Sequence, residues 1–102
     1  SAVYQAELMA NRAAAACASG SRCIYDDPYG DYLLLAGLRC GEHDLRGGPF
    51  QNRINFVDNN SPAHIYLDIW RNAGYWEEYA HIRPWERHRI WTDDIDRIRV
   101  YC

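Results

Sequence analysis

Lysine is absent from this chain. All 11 basic residues among its 102 are arginine, set against 14 Asp and Glu for a formal charge of −3. With no basic block and a slightly acidic balance, nucleic acid is not the expected partner. Long hydrophobic runs are missing too. The longest, Leu33-Leu34-Leu35-Ala36, is strand-sized and far short of the ~18 apolar residues of a membrane-spanning helix. Hydroxyl nucleophiles are scarce, and Thr92 is the only threonine. No G-x-S-x-G elbow, phosphate-binding glycine loop or H-E-x-x-H pair occurs, so the main sequence signatures of hydrolases, nucleotide-binding enzymes and zinc peptidases are lacking. The expectation is a single non-enzymatic domain with no cofactor and no metal site.

Two residue types stand out among those present. Eight Tyr and four Trp outnumber two Phe, a balance suited to half-buried sheet faces and contact surfaces, because both side chains carry a polar handle. The cysteines are Cys17, Cys23, Cys40 and Cys102. An even count in a small domain reads as two disulfides formed in an oxidising compartment. Zinc is the competing reading, but no C-x-x-C pair occurs. Residues 1–20 lack a charged segment followed by a long apolar stretch, so a secreted protein is expected here as its mature chain.

Residues 2–18 are rich in helix formers and free of Gly and Pro. They read as a helix ended by Ser19-Gly20-Ser21, or as a frayed arm. From Cys23 onward, short apolar and aromatic runs alternate with turn signals such as Asp26-Asp27-Pro28, Arg46-Gly47-Gly48-Pro49 and Asp58-Asn59-Asn60-Ser61-Pro62. This is the pattern of an all-β sandwich or barrel. The chain also repeats itself. Ile24-Tyr25-Asp26-Asp27 returns as Ile65-Tyr66-Leu67-Asp68, and Asn52-Arg53-Ile54-Asn55-Phe56-Val57 returns as Asp96-Arg97-Ile98-Arg99-Val100-Tyr101, offsets of about 41 and about 44 residues. Each half therefore reads as a strand, a Tyr-x-Asp turn, middle strands and a final (Asn/Asp)-Arg-Ile strand. Halves this short bury too little surface alone and should share one core.

Tyr25-Asp26-Asp27-Pro28-Tyr29-Gly30 and Tyr66-Leu67-Asp68-Ile69-Trp70, with Gly74 following, resemble the early aromatic hairpin of a βγ-crystallin Greek key. The segments at Asn52-Arg53-Ile54 and Asp96-Arg97-Ile98 are similar to its late motif. Within that superfamily the chain most resembles the secreted actinobacterial peptidase (metalloproteinase) inhibitors. The carriers are Cys17-Ala18-Ser19-Gly20-Ser21-Arg22-Cys23-Ile24-Tyr25, Cys40-Gly41, the Leu45–Ile54 stretch and Asp58-Asn59-Asn60. The resemblance covers residues 17–102. It implies an all-β, βγ-crystallin-like double Greek-key sandwich with repeats at about 23–58 and about 64–102, preceded by a short helical extension over residues 1–16. Of the three possible cysteine pairings, Cys17–Cys23 with Cys40–Cys102 is expected beside this resemblance, the second closing a loop worth about 4 kcal/mol. The positions that carry serines in calcium-binding relatives hold Asn55-Phe56 and Arg99-Val100. An arginine opposes a cation, so no tight calcium site is expected, although Asp93, Asp94 and Asp96 could gather a weak one. No short cysteine-bounded loop in the second half matches the family's reactive segment.

The histidines, His43, His64, His81 and His88, show no metal-binding spacing. Glu77, Glu78 and Glu86 could supply paired carboxylates, but adjacent charges of this kind read as solvated surface. The richest segment is Ala73–Trp91, where Tyr75, Trp76, Tyr79 and Trp85 interleave with Arg83 and Arg87. These residue types dominate interface hot spots, which makes these six positions the expected partner surface. The plainer alternative buries Trp76 or Trp85 between the halves and pairs the glutamates with arginines. The functional expectation is a secreted binding protein, most concretely an inhibitor of an extracellular peptidase. The alternatives are a toxin or effector acting at a cell surface, with a glycan as a possible partner, and a structural cell-wall stress protein.

Overall fold

A computed structural model describes residues 17–102. The N-terminal extension, and with it nearly all of the expected helix, lies outside the described residues. Cys17 and Ala18, which closed that expected helix, are not helical. The described chain is built of eight strands: β1 (Arg22–Tyr25), β2 (Leu33–Ala36), β3 (Gly41–Asp44), β4 (Phe56–Asn59), β5 (His64–Arg71), β6 (Tyr75–Ile82), β7 (Arg87–Arg89) and β8 (Arg97–Tyr101). They form two four-stranded antiparallel sheets, in the orders β2-β1-β4-β7 and β3-β8-β5-β6. No helix of the described residues is long and apolar enough to cross a membrane.

The strand order repeats with the sequence. In each half the first strand lies between the second and the fourth, and the third strand joins the other half's sheet beside that half's fourth strand. The exchange of β3 and β7 lets two short halves share one core. Alternation supplies that core. In β8, Ile98 and Val100 point inward while Arg97, Arg99 and Tyr101 point out; in β5, Ile65, Leu67 and Ile69 point inward while Tyr66, Asp68 and Trp70 point out. Ile24, Val57, Ile82, Ile90 and Ile95 join the same cluster, with Leu38, Leu45, Ile54 and Ala63 from the connecting segments.

Three local expectations are corrected. Ile24 pairs with Val57 and Ile65 with Val100. Val57 and Val100 are therefore counterparts, one residue away from the Phe56–Val100 match that motif spacing gives. β4 begins only at Phe56, so the Arg53–Asn55 part of the expected strand is loop, which absorbs the slip. The Tyr-x-Asp turn exists only in the first half. There the Asp27 carboxylate accepts the amides of Tyr29, Asp31 and Tyr32, closing an Asx-type turn, and Gly30 adopts φ 75°, where a Cβ would come within 3.2 Å of the Phe56 ring. Asp68 instead sits within β5, which runs straight on to Arg71. Finally, β4 continues through Asp58 and Asn59, so the turn expected from Asp58 starts two residues later.

Both disulfides, Cys17–Cys23 and Cys40–Cys102, are formed. The second joins the residue before β3 to the residue after β8, pinning an edge strand of exposed, polar residues (Gly41–Asp44) to the centre of its sheet. The first belongs to a small cluster with Tyr25 and Phe56 on the outer face of the first sheet, where the two rings meet edge to face at 5.7 Å.

Candidate functional site

The segment expected to form one partner surface crosses from one sheet to the other, and its six residues divide among three places. Tyr75, Trp76 and Tyr79 lie on β6. Arg83 and Trp85 lie in the turn that follows. Arg87, on β7, points to the outer face of the first sheet, where its guanidinium packs over Phe56 and its Nε lies 3.3 Å from the Asp58 carboxylate. Asp58 is 4% exposed, and burial raises its pKa against the opposing pull of Arg87. Arg87 is thus tied to the first sheet through Asp58 and Phe56.

On β6 the strand is interrupted. Leu67 pairs with Ala80 and Asp68 with Glu78, so Tyr79 is the extra residue of a bulge. Trp76 pairs with Trp70 on the outer face of the second sheet. Arg46 stacks over both indoles at 4.8 and 4.7 Å, and Arg97 covers Trp76 at 4.1 Å. The hub of this face is Asp68, 1% exposed. It accepts Arg97 Nε at 2.7 Å, Arg99 Nε at 2.6 Å and Arg99 Nη2 at 2.9 Å. Arg97 reaches on to Glu42, Arg99 to Glu78, and Arg99 packs over Tyr66. Among the described residues every charge of this layer is paired, its indoles are covered by arginine, and no described helix lies over it. Glu77 pairs with Arg71 and Glu78 with Arg99, as the plainer sequence reading held. Beside the layer, His64 Nδ1 and His81 Nε2 meet at 2.9 Å and His81 stacks on Tyr66. Desolvation, Arg83 and His64 hold His81 below the usual histidine pKa.

The turn Arg83-Pro84-Trp85-Glu86 differs from both regions. The Glu86 N–H donates to the Arg83 carbonyl at 3.2 Å, Pro84 occupies the second position, and Trp85 the third with φ 67°. A proline followed by a positive φ defines a type II turn, whose third position favours glycine. A bulky residue there is strained by about 1–2 kcal/mol. The residue stays largely in solvent all the same, being 58% exposed. Trp85 is therefore not the buried residue that the plainer reading allowed.

The surroundings hold this conformation in place. Asn59 is wholly buried, and its side-chain amide donates to the Arg83 carbonyl at 3.0 Å and to the Ala63 carbonyl at 2.7 Å. The Ser61 hydroxyl, also buried, donates to Asn59 Oδ1 and accepts the Ala63 amide. The Trp85 N–H donates to the Ser61 carbonyl, the Asn59 N–H to the Glu86 carbonyl, and the Arg83 N–H to the Glu86 carboxylate at 2.8 Å. That backbone bond, with help from His88, lowers the Glu86 pKa. The neighbouring Asn60 receives the Gly20 N–H and donates its side-chain amide to the Cys17 carbonyl. The Cys17–Cys23 loop, the β4–β5 link and the β6–β7 turn are thus fastened together at one end of the molecule around two buried polar side chains.

Trp85 and Arg83 stand out in the sequence; Asn59 and Ser61, whose bonds fix their turn, do not. The only signal was a polar run that also reads as an ordinary turn. Asp96, considered as part of a weak cation site, instead accepts the Trp70 N–H and the Gln51 amide. No group of three or more His, Cys, Asp or Glu able to hold a metal occurs among the described residues. Comparisons with family models, with characterised proteins and with solved structures find no match to this chain.

Proposed function

We propose that this chain is a secreted, non-enzymatic binding protein with a βγ-crystallin-like double Greek-key fold, acting as an inhibitor of an extracellular peptidase. The strand order, with the third strand of each half exchanged between sheets, supports the fold reading. The two disulfides support export to an oxidising compartment. One observation carries the binding role: three loops at one end are locked by a disulfide and by the buried Asn59–Ser61 bonds while presenting an exposed aromatic residue. A loop fixed before contact loses little conformational freedom on binding, and this separates tight inhibitors from flexible ligands. The motif resemblance over residues 17–102 supplies the kind of partner.

The test is titration of the disulfide-bonded protein against thermolysin-like and subtilisin-like peptidases. Saturable loss of peptidase activity near molar equivalence is the expected result. Full activity of both classes at about tenfold excess contradicts the proposal.

A further inference from the structure

We propose that the Arg83–Glu86 turn docks as an uncleaved plug, with Trp85 filling an apolar pocket on the partner protein and Arg83 meeting a carboxylate on the rim of that pocket. The inference rests on the binding role proposed above and names the contact. Three observations converge on it. The Trp85 backbone is held in a region that favours glycine, and strain kept in a fixed, exposed loop points to function rather than to packing. The turn is also asymmetric in charge. Glu86 is folded back onto the Arg83 amide and His88, whereas the Arg83 side chain is exposed and makes no ion pair with the described residues. The surface offered is an indole beside an outward cation, complementary to an apolar pocket with an acidic rim.

The third observation is the shape of the backbone. The Arg83 carbonyl accepts both the Glu86 N–H and the Asn59 amide, so the chain reverses within four residues. Recognition by strand addition needs an extended segment, and this one cannot extend without breaking both bonds. The partner therefore holds the turn by its side chains and leaves its peptide bonds intact.

The experiment compares Trp85→Ala, Trp85→Gly, Arg83→Glu and the control Trp91→Ala with the unmodified protein, against the same two peptidase classes. Trp91 serves as control because it is 75% exposed but stacks on Arg89 elsewhere on the surface. Trp85→Ala and Trp85→Gly should raise the inhibition constant at least 100-fold and Arg83→Glu about tenfold, with Trp91→Ala unchanged. Trp85→Gly should melt no lower than the unmodified protein, because glycine accepts the positive φ. That separates lost contact from lost fold. Mass spectrometry of the complex should show the 83–86 peptide bonds uncut. Inhibition that survives Trp85→Ala within threefold, or a cut in the turn, overturns this inference and leaves the peptidase-inhibitor reading standing. Absence of inhibition by the unmodified protein overturns both.

Discussion

Asp68 carries more of this molecule than its place in the sequence announces. A carboxylate 1% exposed is tolerable only because two arginines donate to it in short, partly bidentate bonds. Asp68→Ala takes the shared buried carboxylate from two largely covered guanidinium groups and leaves them only exposed partners, Glu42, Glu78 and Tyr101; urea denaturation should show a loss of about 3–5 kcal/mol. Tyr25 presents the opposite case, a buried hydroxyl with no hydrogen-bond partner among the described residues. Burial first, then Asp58, pushes its pKa up to about 12. The unfolded chain loses this proton near pH 10, so the unfolded state binds fewer protons than the folded one between pH 10 and 12, and stability falls as pH rises through that window. Tyr25→Phe should remove this share of the alkaline loss, at most about 2–3 kcal/mol, and should be neutral or stabilising at pH 7. Stability curves of the two proteins at pH 7, 10 and 11.5 check both statements. Neither role was legible in the sequence. Asp68 matches Asp27 in the repeat, and only the register of β5 against β8 shows that one caps a turn while the other pairs with arginines.

At the scale of elements, the strands themselves were legible because apolar alternation in β5 and β8 is regular. Their partnerships were not. The aromatic stretch from Tyr75 to Arg87 reads as one surface along the chain, yet it leaves the second sheet after Ile82 and enters the first at Arg87. A segment that changes sheets cannot present one face. The bulge at Tyr79 breaks the alternation further. What unites the end that carries Trp85 is Asn59, the last residue of β4, whose amide reaches both the β4–β5 link and the β6–β7 turn. Asn59→Ala should cost about 2–4 kcal/mol through lost bonds and stranded carbonyls. It should also speed amide exchange at Ala63 and Trp85 together, leaving β8 protected. Exchange that rises at only one of the two would show that the loops are held separately.

Over the whole molecule, the internal repeat was the most informative feature of the sequence, since it foretold two halves sharing a core. It did not show which strands are exchanged, because exchange depends on non-local pairing that local motifs do not encode. The Cys40–Cys102 bond closes a loop of sequence separation 62. The Cys40→Ser, Cys102→Ser double variant should lose about 4 kcal/mol of stability, with fraying concentrated at β3. The central claim is that this scaffold keeps the Trp85 turn rigid before any partner arrives. Backbone 15N relaxation of the free, disulfide-bonded protein tests it most directly. Order parameters of about 0.85 at Arg83, Trp85 and Glu86, equal to those of β5 and β8, are the predicted result; values below about 0.6 confined to the turn would contradict it.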